Sequence, residues 1–72
     1  MMYIVEKRHT VGAFKTIYAT AELKAAFNKL EAEMNGRDDW QPYKYDQNVI
    51  ASTKSGNEHD NIILRIRQQK ED

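Results

Sequence analysis

The chain reads as a two-layer α+β domain of ββαββ order, an antiparallel sheet of about four strands with one amphipathic helix packed on one face. Three observations predict it. Short stretches rich in β-branched and aromatic residues flank a single central segment with helical periodicity. Glycine, asparagine and aspartate cluster between them, as turns require. The chain has 72 residues and 40% apolar content, enough for one small core and one domain, 1–72.

The first strand is expected over residues 2 to 9, "MYIVEKRH", where adjacent Tyr3, Ile4 and Val5 suggest cover on both faces near its start. Gly12 supplies a turn, and a second strand over residues 14 to 19, "FKTIYA", completes a hairpin. Simple alternation places Phe14, Thr16 and Tyr18 on one face and Lys15, Ile17 and Ala19 on the other. Thr20 then reads as an N-cap, with Glu22 in the first helical turn. Leu23, Phe27, Leu30 and Met34 recur at spacings of four, three and four, and Ala26 widens the stripe. That pattern predicts a helix over about residues 21 to 35, closed by Asn35 and Gly36.

Pro42 disfavours helix at Gln41 and sets the chain on an extended path. Residues 43 to 53, "YKYDQNVIAST", alternate as a third strand, with Tyr43 and Tyr45 on one side and Lys44 on the other. "KSGNEHDN" is a turn. Residues 62 to 67, "IILRIR", form the last strand, with Ile62, Leu64 and Ile66 facing the helix and Ile63, Arg65 and Arg67 facing away. The tail over 68–72 is polar and is expected to fray.

Composition excludes several chemistries. Without cysteine there is no disulfide, thiolate site or cysteine nucleophile, and two distant histidines, His9 and His59, offer no zinc site. No metal or other cofactor is expected. Lys plus Arg equals Asp plus Glu at 11 each, so the basic excess usual in nucleic-acid binders is missing overall. No apolar run approaches the roughly 18 residues of a membrane span, and the first residues are unlike a signal peptide, so the cytoplasm is the expected setting.

Four groups are candidate sites. The stretch "NGRDDWQPYKY" concentrates Trp40, Tyr43, Tyr45 and Arg37, residue types enriched at interface hot spots. The alternative is packing, with Tyr43 and Tyr45 under the helix and Trp40 pinning the loop. Lys44, Arg65 and Arg67 on the uncovered face form the second group, as a nucleic-acid or partner surface, although no RNP-like or GXXG motif accompanies them. "SGNEHD", residues 55 to 60, contains serine, histidine and aspartate, but one turn rarely assembles a triad. Asp38 and Asp39 beside Arg37 would need a pocket for acid–base work and read better as a solvated loop. The chain is therefore expected not to be an enzyme.

The succession of "YIV", "TIYAT" and "AELKAAFNKLEAEMNG", across residues 3 to 54, resembles small uncharacterised phage and mobile-element accessory proteins of hairpin-helix-strand layout. The resemblance implies a host cytoplasm and a larger host protein as partner. In some proteins of this kind it implies inhibition of a defence system such as a CRISPR effector. No functional residue comes with it, and zero net charge differs from the strongly acidic, DNA-mimicking inhibitors. The leading expectation is a non-catalytic protein-binding module that occupies a partner's surface. An RNA- or DNA-binding protein using the basic face and a structural homodimer are the alternatives.

Overall fold

The computed structural model describes residues 1–70. Strands β1 (Met2–His9) and β2 (Lys15–Thr20) form the first hairpin, and helix α1 (Leu23–Glu33) follows. Strands β3 (Gln41–Pro42), β4 (Val49–Gly56) and β5 (Asn61–Gln69) complete an all-antiparallel sheet in the order β2-β1-β5-β4-β3. The α+β class is as expected, but the sheet has five strands rather than about four.

The extra strand comes from the segment read as one strand over residues 43 to 53. The chain reverses within it. Val49 N–H donates to Asp46 O at 3.1 Å, and Tyr43 N–H donates to Ser52 O at 3.1 Å. Gln41 and Pro42 thus lie beside Lys54 and Thr53, and "DQN" is the turn between two strands. Asp and Asn favour turns because their side chains bond nearby backbone, and both are depleted in strands. The alternation of the following "VIAST" hid that signal.

The hairpin β1–β2 forms at the expected place, with a bulge. Thr16 pairs with Glu6 and Tyr18 with Val5, leaving Ile17 as the extra residue. Thr16 and Tyr18, expected on one face, therefore sit opposite neighbours that point to different faces. Ile17 packs against the core and Tyr18 is exposed.

Helix α1 is shorter than the expected 21 to 35. Thr20 ends β2 and Glu22 is the N-cap, so Glu22 precedes the first turn. Thr20 Oγ1 still accepts from Glu22 N–H at 3.1 Å, a local turn just ahead of the helix rather than a cap on it. At the other end Met34 N–H bonds Leu30 O and Glu31 O, and Gly36 turns the chain at φ +93°.

Ala26 and Leu30 bury against Val5, Leu64 and Ile66. Phe27 and Met34 border this cluster, but Leu23 is 38% exposed, because the first turn overhangs the edge of the core. The helix packs on β1, β2 and β5 and does not reach β4 or β3. Trp40, Ile50 and Ala51 close the core there. β5 carries its pairing through Gln68 and Gln69, and Gln68 N–H donates to Asn48 O at 2.8 Å. The last two residues of the tail expected to fray, 71 and 72, lie outside the described residues.

Leu30→Ala should cost about 2–5 kcal/mol of unfolding free energy in urea, as buried leucines do. Leu23→Ala should cost less than about 1 kcal/mol. Equal losses would mean that the apolar stripe, rather than the helix's position on the sheet, decides which side chains matter.

Candidate functional site

The stretch around Trp40 resolves into three separate jobs. Trp40 Nε1–H donates to Met34 O at 2.9 Å while its ring lies against the helix-side core. A helix leaves its last carbonyls unpaired, and the indole satisfies one of them. Trp40 is thus a loop anchor, which agrees with the packing alternative.

Asp39 forms a second anchor. Ser55 Oγ donates to Asp39 Oδ1 in a short hydrogen bond, and Gly56 N–H donates to Oδ2 at 3.0 Å. Arg37 adds a bond from its Nη1–H to Ser55 Oγ at 3.3 Å. The Ser55 hydroxyl first, then the Gly56 amide, hold the Asp39 carboxyl below its usual value of 3.8. The helix-to-strand loop, expected to be merely solvated, is clipped to the end of β4.

Tyr43 and Tyr45 do not pack under the helix, contrary to the packing expectation for these rings. Reversal of the chain pairs Tyr43 with Ser52 on the opposite face of the sheet. There Lys54 Nζ and Lys44 Nζ stand 5.4 and 5.8 Å from the Tyr43 ring centroid. Tyr45 is 58% exposed on the turn. Trp40 and Tyr43 are thus separated by the sheet, and the four residues first grouped as one patch do not form one.

The second group does assemble. Arg65 and Arg67 share the face turned away from the helix, and Lys44 borders it with Arg65. Period-two alternation in β1 adds Glu6 and Arg8, and alternation in β4 adds Ser52 and Lys54. Glu6, 7% exposed, accepts from Arg65 Nε at 2.8 Å and Arg67 Nε at 3.3 Å. The Arg65 guanidinium stacks on Phe14 with its carbon 3.6 Å from the ring centroid. Five cations, Arg8, Lys44, Lys54, Arg65 and Arg67, thus stand with two carboxylates, Glu6 and Asp46, and two rings on one surface.

Sequence reasoning missed Glu6, Arg8, Phe14, Ser52 and Lys54. The "EKR" and "STK" alternations carried part of the signal. Which strands stand side by side is a matter of register, which those alternations do not encode.

The serine–histidine–aspartate turn does not converge. Ser55 is buried against Asp39, whereas His59 is exposed beside Glu58. Asn57 Oδ1 accepts from His59 N–H and Asp60 N–H, an ordinary asparagine turn. Among the described residues, no three His, Cys, Asp or Glu side chains group as a metal site, and no helix is long and apolar enough to cross a membrane. Comparison with protein-family models, curated proteins and solved structures gives no match for the chain.

Two measurements test these anchors. Because Asp39's carboxyl is depressed in the fold, its stabilisation is present above 3.8 and disappears as pH falls through the lower folded value. Asp39→Asn should abolish that acid-limb loss in urea unfolding; an unchanged acid limb would assign it to other carboxylates. Glu6→Gln should cost about 2 kcal/mol by removing a carboxylate shared by two guanidiniums. Glu33→Gln, which touches only the half-buried and longer 3.8 Å pair with Lys7, should cost under about 1 kcal/mol. Equal costs would mean that the enclosed carboxylate contributes no more than one in a longer, half-buried pair.

Proposed function

We propose that this protein is a small non-catalytic binding module whose uncovered sheet face takes a single-stranded nucleic acid. The observation that carries the reading is segregation of charge. A chain with no net charge gathers four cations, Arg8, Arg65, Lys44 and Lys54, around Phe14 and Tyr43 on the face the helix leaves open, with Arg67 on the same face at Glu6. Cationic side chains neutralise phosphates, and bases stack on aromatic rings or on guanidinium planes such as that of Arg65. The Glu6 carboxylate keeps Arg65 and Arg67 side by side without cancelling both charges.

A larger protein partner, the accessory-factor setting implied by the phage resemblance, is the second reading. It rests on exposed Tyr45, next to the exposed cation Lys44, at the tip of the β3–β4 turn. Trp40 supplies little to such an interface, since its indole N–H and much of its ring are already engaged. The homodimer alternative would use the edge strand β2, whose outer backbone side faces no strand of the sheet.

Fluorescence anisotropy with a labelled single-stranded oligonucleotide, run across a salt series, tests the first reading. Binding should weaken with salt, and Lys44→Ala with Lys54→Ala should make the log–log slope shallower by about 0.7 for each phosphate no longer neutralised. These lysines are chosen because neither pairs with buried Glu6, so folding should be preserved. Absence of binding at low salt rejects the nucleic-acid reading. Retention of one protein from nuclease-treated lysate, abolished by Tyr45→Ala, would favour the second reading instead.

A further inference from the structure

The open face is not uniformly satisfied. Between Phe14 and Tyr43 lies a groove of about 210 Å³, bordered also by Arg8, Ser52, Arg65 and the exposed pair Lys44 and Asp46. Ser52 is only 4% exposed, and its hydroxyl has no hydrogen-bond partner. Arg8 Nε is likewise buried and unpaired, although Nη2–H of the same guanidinium donates to Thr10 O at 3.3 Å. Buried polar groups are normally paired, so two residues that line one groove and each carry an unpaired buried atom require an explanation.

The two atoms state what would satisfy them. Arg8 Nε can only donate, and Ser52 Oγ can donate. Their complement is a group that presents at least two acceptor oxygens and carries negative charge. Arg65 and Lys44 on the same wall supply positive potential, and the groove has room for a tetrahedral oxyanion together with part of the group attached to it. The third such atom among the described residues, Asn61 Oδ1, is an acceptor at the turn end of the β4–β5 hairpin and does not line the groove.

We propose that this groove is an oxyanion subsite in which Arg8 Nε and Ser52 Oγ hold one phosphate of the bound strand, between the Phe14 and Tyr43 rings. The assignment rests on the nucleic-acid reading above and adds to it a fixed position for one phosphate. Asp46, on the rim, opposes the anion and limits its affinity.

The test follows the amide signals of the whole ¹⁵N-labelled protein during titration with inorganic phosphate, beside oligonucleotide anisotropy. Saturable shifts are expected at Arg8, Ser52 and Arg65. Ser52→Ala and Arg8→Lys should each weaken phosphate and oligonucleotide by at least about fivefold, since each removes one hydrogen bond to a charged group. Arg8→Lys keeps the charge, so general attraction to a basic face would leave it near wild type. Asp46→Asn should tighten both ligands.

Ser52→Ala should also raise the urea midpoint of the free protein, because it removes an unpaired buried hydroxyl. That gain, together with weaker binding, separates a ligand site from a folding defect. If the oligonucleotide binds Ser52→Ala and Arg8→Lys as tightly as wild type, the subsite is overturned and the basic-face reading stands. If phosphate shifts Arg8 and Ser52 but no oligonucleotide binds, the nucleic-acid reading and the strand-phosphate assignment both fall, leaving a free-phosphate site. If phosphate shifts nothing, the subsite is overturned outright.

Discussion

Strand β5 is hydrogen-bonded on both sides, to β1 and to β4, and its alternation therefore determines both faces of the sheet. Leu64 and Ile66 point into the helix-side core while Arg65 and Arg67 point the other way. A slip of one residue would place two guanidiniums beneath the helix and two large apolar side chains on the open face. The Glu6 carboxylate, directly across from Arg65, adds an electrostatic term to the same register. Core packing and charge pairing thus favour one alignment, and the remaining elements are arranged around it.

Coverage of the helix-side face is then limited by size. A helix about 10 Å across spans only two to three strand separations of about 4.8 Å, and α1 accordingly rests on β2, β1 and β5. Trp40 fills in where the helix stops, tied to Met34 O at one end and held in place by the neighbouring Asp39 clip at the other. Its use as an anchor is a consequence of a small helix on a sheet wider than it can cover. Among the described residues the opposite face has no second helix, and long charged side chains with Phe14 and Tyr43 take its place. Ile63 is buried there without joining the helix-side cluster.

That second face combines two kinds of polar group. Glu6, Arg65 and Arg67 satisfy one another across the strands. Arg8 Nε and Ser52 Oγ are left unpaired, and the residues that carry them line one groove. Unpaired buried donors weigh against the stability of a small domain, whose margin is only a few kcal/mol. Binding surfaces are where such a cost is offset by a ligand, and the functional proposal draws on that contrast between satisfied and unsatisfied neighbours.

The α+β class, the first hairpin, the central helix and the two faces of the last strand were legible in the sequence, because each depends on a local period: two in "IILRIR", near 3.6 from Leu23 to Met34. The pairing of Arg65 with Arg67 on one face followed from the same period. Local periodicity failed where a turn or bulge interrupted it. "YKYDQNVIAST" alternated on paper but reverses at Asp46–Val49, and Ile17 shifts the β2 pattern by one residue. The reach of Trp40 to Met34, the Asp39–Ser55 clip, and the meeting of Arg8, Phe14, Tyr43 and Ser52 in one groove were decided only in three dimensions. Each joins residues distant in the chain or across the sheet, and their proximity depends on strand order, register and loop path, none of which a single strand's alternation encodes.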